Sequence, residues 1–301
     1  MDQQDRRTDP QLLVSVTMRP MNYSTSSFFL LSLLWVLGSW AVGGQTPVQA
    51  EPHARTAEPA SLAADSLLLD QYPDAYAGYS LRRLRAEYDG PAIRVRRESD
   101  NAVQDFGFTD EGELDIAAIE NWLSGADGAV VRWYSQVDGA SDLTATGTPP
   151  KIATSGTVYT DSDGLPRLYF SGGGLSASGF SISANDVSVF MVQETDAQSG
   201  EFNTLFDFDN NLIRLYAQSA PTFWLQGDEE TGRTGDGTRF KSPYQEKNFL
   251  IAVSRPEGMA VYQNDAALFD TEEVVLVSST ASTLTVGTSS GGAWAGYMSE
   301  V

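Results

Sequence analysis

From residue 153 onward the chain is a series of short apolar-rich runs of strand length, separated by Gly, Asn, Asp and Ser. The runs are RLYFSG, VSVFMVQE, TLFDFD, LIRLYAQ, TFWLQG, NFLIAVSR, MAVYQN and TLTVGTS. Recurrence at near ten residues with turn formers at the joints predicts an antiparallel β-sandwich. No segment of helix length and helical period interrupts the series, which argues against a parallel α/β sheet. Residues 67–152 read differently. Leu81, Leu84 and Tyr88 recur at helical spacing before Asp89-Gly90, which predicts a helix there. PAIRVRRES alternates Ile93 and Val95 with Arg94 and Arg96, and GAVVRWYSQV (128–137) is a second strand.

Between those strands lies GELDIAAIENWLSG (112–125), in which Glu113, Asp115 and Glu120 could be the acids of a glucanase strand. On a strand Glu113 and Asp115 share a face and Glu120 points the other way. As a helix the segment is consistent throughout. Asp115 is the N-cap, Ile116, Ile119 and Leu123 form the apolar stripe, and Ser124-Gly125 ends it. The predicted class is therefore mainly β: an antiparallel sandwich with a small α+β leader.

The first 66 residues read as non-globular. SFFLLSLLWVLGSWAVGG (27–44) is uncharged and apolar, and Val48 and Ala50 give a small-residue cleavage pattern, so residues 1–50 read as a signal peptide with Met21 an alternative start. The same run is long enough for a membrane anchor. Residues 51–66 are rich in Ala, Pro and Glu and read as a linker. The expected organisation is 67–152 as leader and 153–301 as sandwich, with the C-terminus cut short in mid-strand. The expected location is secreted or cell-surface, with the periplasm as a variant.

Charge and composition remove whole classes of chemistry. The chain has 19 basic and 40 acidic residues, a net charge of −21, which excludes a polyphosphate partner. The basic cluster Arg82, Arg83, Arg85, Arg94, Arg96 and Arg97 is interleaved with apolar residues and reads as strand and helix faces paired with local acids. There is no cysteine, and the one histidine, His53, lies in the linker. A disulfide framework, a thiol nucleophile, a Ser-His-Asp triad and a histidine zinc site are all excluded from the folded body. Acid–base chemistry there falls to carboxylates, Tyr or Lys.

Several leader positions form a recognisable set: Tyr88, Gly90, Val95, Arg96, Arg97, Ser99 and Asp100, then Asp105, Gly107 and Phe108, then Trp133, Tyr134 and Gln136. This set resembles the start of the α-L-arabinofuranosidase B catalytic domain. The remainder, with its NFLIAVSRPEGMAVYQND hairpin and Gly296 and Glu300 near the end, resembles concanavalin A-like, laminin-G-like jelly rolls. The likeness implies such a sandwich and a sugar-related role. The chain departs from the family at Ser135, Val137 and Asp138, and lacks the paired cysteines beside the family's sugar pocket. Neither catalytic acid of the family maps onto it residue by residue. Glu257 sits at a Pro-Glu-Gly hairpin tip, where its charge is solvated.

The candidate site residues follow from the strands. Trp224, Tyr216 and Tyr244 are candidate platforms on which a sugar would stack. Of Phe223 and Trp224, adjacent on one strand, one is expected in the core and the other exposed. Asp207 and Asp209 share a face of FDFDNN, and with Asn210 they supply oxygen ligands suited to Ca2+. The leading expectation is an exported carbohydrate-binding or adhesive lectin-like module without catalysis. Its partner would be a polysaccharide or glycoconjugate, with no nucleic acid and no membrane beyond an N-terminal anchor. The alternatives are an α-L-arabinofuranosidase-like hydrolase with divergent acids, and a structural surface module with no glycan ligand.

Overall fold

Both sheets of the sandwich start from one strand of the leader. Strand β3 (Gly128–Trp133) pairs at its first residues with β5 (Lys151–Thr154), through Gly128↔Ala153 and Ala129↔Lys151. At its last residues it pairs with β4 (Leu143–Thr146), through Arg132↔Thr144 and Trp133↔Leu143. The computed structural model describes residues 67–196, 203–209, 212–219, 222–227, 238–241, 245–264, 266–271, 279–289 and 292–301. The signal-like run and the linker lie outside them.

From β4 the first sheet continues through β8 (Gly174–Ser183), β17 (Thr280–Val286), β10 (Asn203–Phe208), β11 (Ile213–Ser219), β12 (Thr222–Gly227) and β13 (Thr238–Lys241), every pair antiparallel. Two short strands, β18 (Thr288–Ser289) and β19 (Gly292–Ala293), form a hairpin whose Ala293 lies beside Thr204. From β5 the second sheet continues on one side to β6 (Thr157–Val158). On the other it runs through β7 (Leu168–Ser171), β20 (Ala295–Glu300), β9 (Val187–Thr195), β14 (Asn248–Arg255), β15 (Gly258–Gln263) and β16 (Ala266–Thr271).

Register explains why the sheets face each other. One row across the first sheet is Ala145–Leu175–Val286–Phe206–Leu215–Leu225, apolar at every step. All but Ala145 are fully buried. The facing row types of the second sheet are Leu168, Phe170, Met298, Met191 and Leu250, also buried. Trp294 packs on Phe170 at 5.6 Å. Each such side chain removed from water contributes about 1.5–3 kcal/mol. Close packing also dictates Gly287, which lies at φ +82° directly against the Phe170 ring, where a β-carbon has no room.

The leader holds α1 (Leu68–Gln71), β1 (Ile93–Arg97), β2 (Val103–Phe106) and α2 (Ile116–Leu123), with β1 between β2 and β3. Helix α2 is capped as the sequence predicts. Asp115 Oδ1 accepts from Ala118 N at 2.9 Å, Ile119 and Leu123 are buried, and Ser124 (φ +51°) and Gly125 (φ +89°) turn the chain out. Glu120 accepts from Val158 N at 3.0 Å, so it fastens the helix to β6. The helix expected over 81–88 is not formed. Leu81 N donates to Ser299 O and Leu81 O accepts from Leu114 N, both at 3.0 Å, so pairing with distant chain holds this stretch extended against its local spacing. Gln136, fully buried, completes that pairing. Its Oε1 accepts from Leu84 N at 2.7 Å and its Nε2 donates to Arg82 O at 2.8 Å. Among the described residues no helix is long and apolar enough to cross a membrane.

Two outcomes follow from these contacts. Gln136→Ala leaves the Leu84 N–H and Arg82 carbonyl without their partner, and is expected to cost about 1–3 kcal/mol in a urea titration. The two-point hydrogen bond from Arg97, with the Ala102 amide, holds the Asp100 carboxyl down at about 2. A depressed folded value gives stability that is whole above the unfolded carboxylate value of about 4 and lost as pH falls toward 2. Acid titrations of the wild type and Asp100→Asn should therefore differ in that window and coincide in slope above it.

Candidate functional site

The first sheet's other face is the candidate site. Shifting the apolar row by one residue gives Thr144–Ser176–Thr285–Asp207–Arg214, a row of side chains that can all hydrogen-bond, across five strands. Backbone register carries it on to Gln226 in β12. The row starts in solvent at Thr144, is half-buried at Ser176 and Thr285, and is buried at Asp207 (2% exposed) and Arg214 (7%). It is thus a polar track leading inward, with the Ser176 and Thr285 hydroxyls 3.2 Å apart.

Beside the charged pair stand two rings. Tyr216 and Trp224 are cross-strand partners and stack at 6.1 Å with 8° between their planes. The Arg214 guanidinium lies 4.7 Å from the Tyr216 ring centre, a cation–π arrangement that fixes its plane. Thr204, opposite Tyr216, is 2.7 Å by its hydroxyl from that of Ser289. The site therefore offers a buried carboxylate, a guanidinium, flat aromatic surface and several hydroxyls, the groups from which sugar sites are built.

The structure brings together three of the residues that the sequence singled out: Asp207, Tyr216 and Trp224. They are buried rather than displayed, at 2% exposure for Tyr216 and 7% for Trp224, and Phe223 is buried as well. Tyr244 and Asn210 lie outside the described residues. Asp209 does a different job. It stands just beyond β10 at φ +45°, and its carboxylate accepts from Ser282 N at 2.6 Å, Ser282 Oγ at 3.1 Å and Thr283 N at 2.7 Å. It ties β10 to β17. Among the described residues no three His, Cys, Asp or Glu side chains gather as a cation cage. Arg214 was missed in the sequence, although it lies two residues before Tyr216 and so shares its face.

A second acidic place lies where the leader meets β20 and β9. It is a cleft of about 150 Å³ lined by Arg82, Glu113, Asp161, Val192, Lys247 and Glu300 among others. Two of its acids, Glu300 and Asp161, are committed. Glu300 accepts from Arg82 Nε at 2.8 Å, Arg82 Nη2 at 3.1 Å and Ser80 Oγ at 3.2 Å. Asp161 accepts from Lys247 Nζ at 2.8 Å, Asp163 N at 2.9 Å and Leu165 N at 3.0 Å. Burial pushes the Asp161 carboxyl up, but Lys247 and the two amides outweigh it and hold it below its ordinary range. Such a carboxylate cannot keep a proton to donate, and its lone pairs are already used. Glu120, the other acid of the glucanase-like segment, faces β6 instead of this cleft.

No family model matches the chain, and no curated protein matches it. Solved structures do. An arabinofuranosidase complexed with arabinofuranosyl-α-1,2-xylobiose superposes with a TM-score of 0.60 at 11% identity, over 78% of this chain and 60% of its own. A GH54 α-L-arabinofuranosidase soaked with a cyclic sulfate inhibitor gives 0.58 at 13% identity, with the same coverage. A glutamate-to-glutamine mutant of a GH54 α-L-arabinofuranosidase, soaked with 4-nitrophenyl α-L-arabinofuranoside, gives 0.56 at 13%. The chain spans about 60% of the length of these proteins. The expectation of a lectin-like module without catalysis is corrected by these matches. The sandwich and leader follow the fold of glycoside hydrolases, and the buried, charged face is unlike an open lectin surface.

Asp209→Ala should leave the Ser282 and Thr283 amides without an acceptor. The expected cost is about 1–3 kcal/mol by chemical denaturation, with Asp209→Asn recovering part of it.

Proposed function

We propose that the chain is a glycoside hydrolase of the α-L-arabinofuranosidase type, with a concanavalin A-like sandwich, acting on glycans that bear arabinofuranosyl groups. The observation that supports it best is the conjunction of a fold shared with arabinofuranosidases over 78% of the chain and a polar track ending at a buried carboxylate beside stacked rings.

Glycoside cleavage needs a carboxylate near the anomeric carbon, to bond to it or balance its developing positive charge, and a second carboxyl group to protonate the leaving oxygen or activate water. In this reading Asp207 is the first. Arg214 stands opposite it in the register. The stacked Tyr216 and Trp224 rings wall the inner end of the track beside Arg214, and the Ser176 and Thr285 hydroxyls line the approach. Export suits a polysaccharide substrate, and the run 27–44 is the signal for it.

The test is arabinose release from arabinoxylan and hydrolysis of 4-nitrophenyl α-L-arabinofuranoside by the full chain. Asp207→Asn should lower kcat at least about 100-fold with an unchanged thermal melt, and Trp224→Ala should act mainly on KM. No release by the wild-type chain on either substrate would end this reading.

A further inference from the structure

We propose that the outer face of the second sheet is a separate holding surface for a neutral polysaccharide chain, on the side of the sandwich away from the Asp207 track. It rests on the hydrolase reading only for which polysaccharide is held.

The face is defined by register. Lys151 on β5, Tyr169 on β7, Tyr297 on β20 and Glu194 on β9 are successive cross-strand partners. Four strands in a row span about 14 Å, enough for a short oligosaccharide lying across them. Tyr159 joins the row, 5.9 Å from Tyr169 and 5.8 Å from Tyr297, and the last two rings are 4.8 Å apart. All three are half-buried, with their partners in the core on the other side of the sheet. Farther along β9, Phe190 is 47% exposed and stacks on Phe249 at 6.2 Å. The register puts it on the same face as Glu194.

A solvent-facing sheet surface ordinarily carries small polar and charged residues. Clustered rings there cost solvation and mark a ligand or partner surface. Sugar rings have an apolar C–H face, and an aromatic ring presents a negative π face to it. Burial raises the Tyr169 and Tyr297 hydroxyls above their ordinary range, so both stay protonated donors at the rim.

Charge selects among occupants. Arg167 lies over Tyr297, 3.7 Å from its ring centre, and donates to Glu194 at 2.7 Å. Lys151 is 2.7 Å from Asp127, and Lys247 is 2.8 Å from both Asp161 and Asp163. These two are among only three lysines in the chain, and both are spent on neighbouring acids. Among the described residues the face therefore offers an anionic partner no free cation, while the net charge of −21 repels nucleic acid, acidic polymers and a second copy alike. A neutral glycan suffers neither penalty.

The experiment is native affinity electrophoresis of the full chain in gels containing arabinoxylan, polygalacturonate or no polymer. Arabinoxylan should retard the wild type and polygalacturonate should not. The double variant Tyr159→Leu/Tyr169→Leu, which keeps apolar bulk, should lose affinity about tenfold. Tyr159→Phe/Tyr169→Phe, which keeps the rings, should retain it. If the leucine double variant melts early, the single Tyr159→Leu is read instead. Asp207→Asn should be retarded like the wild type. The proposal fails if arabinoxylan does not retard the wild type, if polygalacturonate retards it equally, or if retardation survives the leucine variants but is lost in Trp224→Ala. Hydrolysis of 4-nitrophenyl α-L-arabinofuranoside by the same preparations separates the two ideas. Ring-dependent retardation without hydrolysis removes the hydrolase reading and keeps this surface, whereas hydrolysis without retardation does the reverse.

Discussion

Strand β3 must satisfy two sheets at once, and the remaining architecture depends on it. Its first residues belong to the β5 side and its last to the β4 side. The sheets diverge from there, and Trp133, fully buried at the end of β3, fills the corner together with Tyr79, whose ring centre is 6.3 Å away. A leader that merely abutted a finished sandwich could be removed without loss. This one supplies the strand from which both layers start. That arrangement also accounts for the extended path of residues 80–84, which is fixed by β20 on one side and by the Gln136 amide on the other.

Alternation then does two kinds of work with the same strands. On the first sheet, one register row is wholly apolar and closes the core, and the next row is polar from Thr144 to Arg214. Charged groups beneath a protein surface are expensive to desolvate, and this row buries two of them, Asp207 and Arg214, on neighbouring strands. The second sheet's outer face uses alternation differently, with half-buried Tyr159 and Tyr169 beside Tyr297, over whose ring Arg167 is laid.

Much of this was legible in the residues. TFWLQG and NFLIAVSR coincide with β12 and β14, since short apolar, β-branched and aromatic runs bounded by turn formers leave little choice. The α2 cap was legible because Asp115 and Gly125 are local signals. Strand β8 was not: GLSASGFSIS is rich in Gly and Ser, reads as loop, and is a strand only because β4 and β17 pair with it on either side. The 81–88 stretch failed in the opposite sense, with helical spacing overruled by distant partners. For the site, Asp207, Tyr216 and Trp224 could be picked out by type and face. Their burial could not, because it depends on which strands become neighbours. The tyrosine cluster was missed altogether. Tyr159, Tyr169 and Tyr297 come from distant parts of the chain and meet only through the β5–β7–β20 register.

The absence of cysteine gives the ion pairs of the leader a particular meaning. Where disulfides are missing, the leader is fastened by Arg82 to Glu300, Arg97 to Asp100, Arg94 to Asp105 and Lys151 to Asp127. Most of these are partly exposed, where solvent and dissolved salt weaken the attraction, so each contributes little alone. The buried Gln136 amide and the Trp133 corner carry no net charge, so salt leaves them largely untouched. On a chain of net charge −21 salt also relieves the general repulsion among acids, which favours the compact state. The two effects oppose each other at the surface, and neither acts on the contacts that hold the junction of the two sheets.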